Sequence, residues 1–233
     1  MFILKFIKWF IIAFLASTIL AVLIYKWMPI PFTPLMGIRY IQSISNKERP
    51  ILSHKWISLE EMPSQLPLAV IASEDQHFMQ HHGFDFDAIK DAIKEKENGG
   101  RQRGASTISQ QTAKNVFLWP SASWLRKGLE TYFTILIELL WSKERIMEVY
   151  LNSIEMGKGI YGIKAVANVH FNKFPQELRR RDCALIAATL PNPLKYSSKN
   201  PSPYMQKRQQ KILREMRNIE CSCGWNYQSQ VIK

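Results

Sequence analysis

Leu66-Pro67-Leu68-Ala69-Val70-Ile71-Ala72-Ser73-Glu74-Asp75-Gln76-His77-Phe78-Met79-Gln80-His81-His82-Gly83 is an apolar segment that runs directly into acids and histidines. Leu66, Val70, Ile71 and Phe78 recur at helical spacing, so the stretch reads as a helix over 66–78 with one buried side. Glu74 and Asp75 then sit at the edge of the core that this helix enters. Further along comes Gly104-Ala105-Ser106-Thr107-Ile108-Ser109-Gln110-Gln111, small, polar and rich in donors. Thr107 and Gln110 have the spacing of a capping box, which predicts a helix start near Thr107. The unpaired N–H groups of such a start carry partial positive charge and suit an anion such as pyrophosphate. Together the two segments set a carboxylate opposite a phosphate- or sugar-binding wall.

The rest of the chain also reads as helix. Phe86, Ile89, Ala92 and Ile93 form an amphipathic pattern ending in the solvated run Lys94-Glu95-Lys96-Glu97. Asn98 to Arg103, with paired glycines, reads as a flexible loop able to move over a cleft. The longest pattern starts near Ser123 and passes through Leu125, Leu129, Phe133, Leu136 and Leu140. Another contains Ile146, Val149 and Tyr150. Asp182 is placed to cap an apolar helix over 183–190, which Pro191 and Pro193 stop. A last helix, about 204–219, is basic on one side and carries Met205, Ile212, Met216 and Ile219 on the other. Strand signals are few and short, and there is no internal repeat. The class is all-α.

The chain has 233 residues, 46% of them apolar, enough for one domain with an accessory segment. Its net charge is +12, from 31 Lys and Arg against 19 acids, which favours an anionic partner. Cys183 lies in an apolar run and reads as a core residue. Cys221 and Cys223 form C-x-C, which is neither zinc nor thioredoxin spacing, and their pairing in an oxidising compartment stays open. Trp9 to Tyr25 contains no charge and is flanked by Lys5, Lys8 and Lys26. A spanning helix needs roughly 20 apolar residues, and Trp9, Tyr25 and Trp27 supply interfacial aromatics. A cleaved signal peptide would want small residues after the run, where Leu23-Ile24-Tyr25-Lys26-Trp27 are bulky. The expected layout is an anchor over 1–28 with its N-terminus cytoplasmic, an extended connector over 29–55 held by Pro29, Pro31 and Pro34, a domain over 56–220, and a tail over 221–233.

Several residues have both a chemical and an ordinary reading. Glu74, at the edge of the core, is either a desolvated general base or a solvent-facing acid, and the residues alone leave both open. Glu130 lies four residues after Arg126, and by itself favours an i,i+4 ion pair over a role beside a phosphate held by Arg126 and Lys127. Ser106, Thr107, Gln110, Gln111 and Lys114 form a dense donor set, although an ordinary cap accounts for Thr107 and Gln110. Gly157-Lys158-Gly159-Ile160-Tyr161-Gly162 fits GxGxxG, but helix rather than strand precedes it, so a dinucleotide site lacks its context. His77 and His81 have metal spacing with no third ligand, and a structural role for His81 fits better.

At these residues the chain resembles the family 51 glycosyltransferases, the peptidoglycan glycosyltransferases that polymerise lipid II. Glu74, Asp75, Phe78, His81 and Gly83 match the family's first block. Gly104, Ser106, Thr107, Ile108, Gln110, Gln111, Lys114 and Asn115 match the second. Arg126, Lys127 and Glu130 match the third. Lys143, Ile146, Glu148, Tyr150, Leu151 and Asn152 match the fourth, and Leu185 to Pro193 resembles the closing helix with its proline turn. In order and spacing these cover roughly 56–215.

The resemblance implies a lysozyme-like fold and two catalytic acids, Glu74 and Glu130. Glu74 would deprotonate the acceptor's 4-hydroxyl as it attacks, with inversion, a donor carrying undecaprenyl pyrophosphate. Ser106, Thr107, Gln110, Gln111, Lys114, Arg126 and Lys127 would bind substrate. It further implies a divalent cation, magnesium or manganese, assigned to Asp75 and Glu130. Implied partners are lipid II, the growing glycan strand, membrane lipids and other cell-wall synthesis and division proteins. The location is the bacterial inner (cytoplasmic) membrane, with the domain on its outer, periplasmic side. Ala105, Ser109 and His170 depart mildly from the family pattern, and the 119–123 loop lacks a basic residue common there. Neither SxxK nor KTG occurs, so the resemblance is to the monofunctional biosynthetic form without transpeptidase. A glycan-cleaving enzyme of the lysozyme or lytic type is the nearest rival, since paired carboxylates also serve cleavage. A noncatalytic anchored scaffold is the second. Nucleic acid is excluded as a partner by the expected location.

Overall fold

The computed structural model describes residues 2–99 and 104–223, the last three by backbone alone. The expected mobile loop therefore falls outside the described residues from 100 to 103. So do the side chains of Cys221 and Cys223 and the tail beyond Cys223.

The helices are α1 (Phe2–Tyr25), α2 (Pro34–Ser45), α3 (Gln65–Glu74), α4 (Phe86–Glu97), α5 (Ile108–Phe117), α6 (Trp124–Leu140), α7 (Lys143–Ser153), α8 (Gly162–Val166), α9 (Arg180–Thr189) and α10 (Pro203–Cys223). A small sheet joins β1 (Ser53–His54), β2 (Glu155–Gly157) and β3 (Ile160–Tyr161) in the order β1-β3-β2. β1 runs parallel to β3, with Ser53 opposite Ile160, and β2 runs antiparallel to it. The fold is helical and lysozyme-like. Its strands serve only to tie the segment before α3 to the turn after α7.

Helix starts follow the local chemistry. Thr107 caps α5 through its hydroxyl on the Gln110 amide, and the Gln110 side chain returns to the Thr107 N–H at 3.0 Å. Ser123 caps α6 and Ser142 caps α7 in the same manner. Asp182 acts from inside the first turn of α9, accepting from the Arg179 N–H at 3.1 Å, so that helix begins earlier than the expected 183. The expected helix over 66–78 stops at Glu74. Asp75 turns extended (φ −161°, ψ 82°), and Phe78 reaches the core from a turn instead. Asp85 caps α4, yet none of that helix is fully buried, and Phe86 and Ile93 are 67% and 52% exposed.

α3 packs against α9 and α10, while α5 packs against α6 and α7. Leu66, Val70, Ile108, Ile137, Ile146, Tyr150, Ile186 and Met216 fill the space between. α1 has 24 residues, about 36 Å at 1.5 Å per residue, against a hydrocarbon core of about 30 Å. It is apolar enough to cross a membrane by length and composition. Its C-terminal part is fastened to the domain. The Trp141 indole donates to the Val22 carbonyl at 2.8 Å, the Thr18 and Tyr132 hydroxyls meet at 2.8 Å, and Arg145 donates to the Tyr25 carbonyl at 2.8 Å.

The connector is not wholly extended. Pro34 opens α2 at the first helical position, where its missing N–H costs nothing, and Thr33 caps it. α2 lies on α5.

Candidate active site

Glu74 ends α3, its side chain 11% exposed. Ser73 Oγ donates to its Oε1 at 2.9 Å, and Gln111 Nε2 donates to its Oε2 at 3.3 Å. The hydroxyl of the fully buried Tyr150 donates to Gln111 Oε1 at 3.1 Å. That contact assigns the amide's orientation, leaving the NH2 for Glu74. Arg208 reaches in from α10, donating to Ser73 Oγ at 3.1 Å and standing 3.7 Å from Glu74 Oε1. Burial raises the Glu74 carboxyl above its ordinary range. The Ser73 and Gln111 hydrogen bonds and the Arg208 charge pull it back only partly, and the Asp75 charge adds to the rise.

Asp75 points the other way. Both its oxygens accept from His81 Nε2, at 2.9 and 3.0 Å, and Oδ2 also accepts from the Ile108 N–H at 2.9 Å. His81 Nδ1 accepts from the Gly83 N–H at 3.1 Å, so the ring proton lies on Nε2, facing Asp75. Thr107 Oγ1 donates to the Gly83 carbonyl at 2.7 Å. Gly83 has φ +92°, and a Cβ there would come within 2.9 Å of Thr134. The spacing of Asp75, His81 and Gly83 is thus the wiring that clamps the end of α3 to the start of α5. His77 pairs separately with Asp85 at 2.8 Å, so the two histidines share no ligand position.

Thr107 and Gln110, expected to bind substrate, are buried and occupied by the cap and by Gly83. Their role is to hold α5 in place. Ser106 is exposed just ahead of that helix. Gln111 and Lys114 do line a cavity of about 380 Å³ together with Arg126. Among the described residues the Lys114 ammonium has no hydrogen bond and no ion pair. Burial lowers its pKa. Glu130 works against that fall, and the charges of Arg126 and Lys127 deepen it.

On α6, Arg126 pairs with Glu130 Oε2 at 2.6 Å and Lys127 pairs with Oε1. The i,i+4 pair expected from the residues alone is present, but Glu130 is only 3% exposed, so a buried acid holds the mostly buried Arg126 and the exposed Lys127.

The residues do not fit a resident divalent cation. The Asp75 side chain is 2% exposed, with both oxygens engaged, and Glu130 has one cation on each oxygen. No three His, Cys, Asp or Glu side chains gather as ligands among the described residues. In this structure Asp75 clamps α3 to α5, and Glu130 anchors the charges of Arg126 and Lys127.

The GxGxxG run forms the β2–β3 turn. A Cβ on Gly162 (φ +76°) would meet the Asn152 carbonyl at 2.5 Å, so that glycine permits close backbone packing. The fourth sequence block is also structural in part. Asn152 exchanges hydrogen bonds with both backbone groups of Ile57, and Arg145, beside that block, holds the Met28 carbonyl. Ser73, Tyr150 and Arg208 surround Glu74 without having been singled out for it. Tyr150 lay within a recognised block, whereas Arg208, 135 residues from Ser73, carried no local signal.

Residues 41–217 match the family model described as Transglycosylase. A biosynthetic peptidoglycan transglycosylase of Bacteroides thetaiotaomicron is 59% identical over 214 residues, covering 92% of this chain and 86% of that protein. Proteins of the same description from Bdellovibrio bacteriovorus and Pseudomonas aeruginosa are 49% and 48% identical, over 88% and 91% of this chain and 84% and 90% of theirs.

Proposed function

This chain belongs to the transglycosylase family and is a peptidoglycan transglycosylase, and from that premise we propose that it lengthens glycan strands on lipid II using an undecaprenyl-pyrophosphate donor. Glu74 takes the proton of the acceptor's 4-hydroxyl. The oxygen attacks the anomeric carbon of the donor from the face opposite the leaving group, and the carbon–oxygen bond to pyrophosphate breaks with inversion. The lipid pyrophosphate departs with the electron pair.

The observation that carries this reading is the contrast between two neighbouring groups that feel each other's charge. Glu74 is desolvated and lightly held, and Lys114, on the helix that supplies Gln111, keeps an unpaired ammonium toward the cavity. A carboxylate becomes a better proton acceptor as its pKa rises, and burial raises that of Glu74. A departing di- or trianion needs cations already in place, and Lys114 and Arg126 provide them with Lys127 alongside. Glu130 keeps Arg126 and Lys127 from separating. No step runs through a metal.

We further propose that α1 spans the inner membrane with the domain on the periplasmic side, which confines the enzyme and both lipid-linked reactants to one plane. Transpeptidation is not part of this reading, since neither SxxK nor KTG occurs in these residues. Cleavage of existing glycan fits less well. A second acid clamped by two cations is not available to protonate a leaving sugar. The test is to incubate the full chain in detergent with labelled lipid II or with purified sacculi and resolve the products on gels. A ladder of long glycans from lipid II is expected. Solubilised fragments from sacculi, with no ladder, would overturn the proposal.

A further inference from the structure

The cavity containing Lys114 and Arg126 has a third cation, Arg39, on a segment that the sequence reading treats as a mere connector. Arg39 lies on α2, which follows the membrane-proximal chain directly. That segment is fixed firmly: Thr33 and Met36 are buried, and Arg145 donates to the Tyr25 and Met28 carbonyls. Arg39 Nε is buried without a hydrogen-bond acceptor. The nearest anionic atom, Glu155 Oε2, stands 3.6 Å away, beyond hydrogen-bonding range. Glu155 also accepts from the Gly159 N–H at 3.2 Å, and burial raises its carboxyl pKa, which weakens its claim on the guanidinium. The remaining wall is apolar where Leu35, Trp119 and Pro193 line it. A cavity lined by three cations, one acid and several apolar side chains matches a prenyl diphosphate, whose charged head adjoins a hydrocarbon chain.

Resting on the reading above, we propose that Arg39 is a further phosphoryl-binding residue, through which the helix next to the anchor forms part of the wall of the substrate site. Glu155, which lines the same cavity, stands on the Nε side of the guanidinium, and a phosphoryl oxygen meets the terminal amino groups of this 35%-exposed side chain. Because α2 continues from the anchor, a head group bound there is held at the membrane-facing side of the domain.

The full chain in detergent tests this with two variants of opposite expected sign. Arg39→Gln should raise KM for lipid II about tenfold with kcat nearly unchanged, weaken inhibition by inorganic pyrophosphate to a similar degree, and be partly rescued by Arg39→Lys. Glu155→Gln frees the guanidinium and should leave pyrophosphate inhibition as strong as in the wild type or stronger. If Arg39 merely braces Glu155, the two substitutions lower the melting temperature alike and change pyrophosphate inhibition alike, and the proposal falls. It falls equally if Arg39→Gln keeps the wild-type KM and pyrophosphate inhibition. Should the wild-type chain polymerise no lipid II, the function reading fails instead, and direct calorimetric binding of pyrophosphate to the wild type and Arg39→Gln still decides this one.

Discussion

Glu74 and Glu130 are acids on two helices, each bonded to a residue that lines the same cavity, Gln111 and Arg126, and their surroundings are opposite in kind. Glu74 receives two hydrogen bonds from neutral groups and has one cation at 3.7 Å. Glu130 is gripped directly by Arg126 and Lys127. At Glu74 burial outweighs the opposing hydrogen bonds of Ser73 and Gln111 and the Arg208 charge, and it raises the pKa, whereas Glu130 is paired directly with two cations of its own helix. The same side chain, shielded from solvent in both places, is held mainly by neutral donors in one and by cations in the other. The charge of the neighbours decides the chemistry, not the depth of burial.

The sharpest way to break this contrast is Glu74→Gln. It should lower the polymerisation rate by roughly 10³-fold, within the span usual for a lost general base. Its melting temperature should not fall, because a buried carboxyl with a raised pKa costs folding energy wherever it is ionised. Residual activity near wild type would remove Glu74 from the role. Next in size is Lys114→Gln, expected to lower kcat/KM about 10²-fold through loss of leaving-group stabilisation. The lowered Lys114 pKa means that its charge is lost as pH rises through a value below the ordinary lysine range. An alkaline fall in activity should follow, and Lys114→Arg should move that fall to higher pH. A wild-type profile flat in the alkaline range would contradict this.

Glu130→Gln should differ in character. Removing the buried acid leaves Arg126 and the exposed Lys127 adjacent without their partner, at a cost below the ~3–5 kcal/mol of a fully buried pair because solvent screens Lys127. A clear drop in melting temperature and roughly tenfold lower activity are expected from the rearranged Arg126 and Lys127. If the fold is unaffected while activity vanishes, Glu130 is itself a reacting group and the contrast collapses. The smallest effect belongs to Arg208→Gln. Arg208 lowers the Glu74 pKa, so its removal should move the acid limb of the pH–rate profile upward, with only a few-fold loss at neutral pH. An unmoved limb would mean that Arg208 only packs.

How far the site could be read beforehand depended on the range of each interaction. The capping box at Thr107 and Gln110 was plain in the residues because its partners are three apart. Even so, the pattern did not say that Thr107 would also reach the Gly83 carbonyl, 24 residues away. Asp75, assigned to a metal through the family resemblance, is bonded in the structure to His81 and the Ile108 N–H. A carboxylate's neighbours 33 residues away leave no trace in local spacing. The α4 pattern was legible as a helix, yet its apolar face stays largely uncovered, since periodicity does not tell whether a partner surface exists.

The sequence by itself determined the helical class, the membrane-length apolar segment, the starts of α5 and α6, and the order of the blocks that carry Glu74, Lys114 and Glu130. These depend on periodicity, capping and composition, which act over a few residues. Only the tertiary structure decided which acid is desolvated, which cation is left unpaired, and that Arg208 and Arg39 come from distant helices to stand beside them. Exclusion of water and the pairing of charge are properties of the packed whole, set by chain segments that meet only after folding.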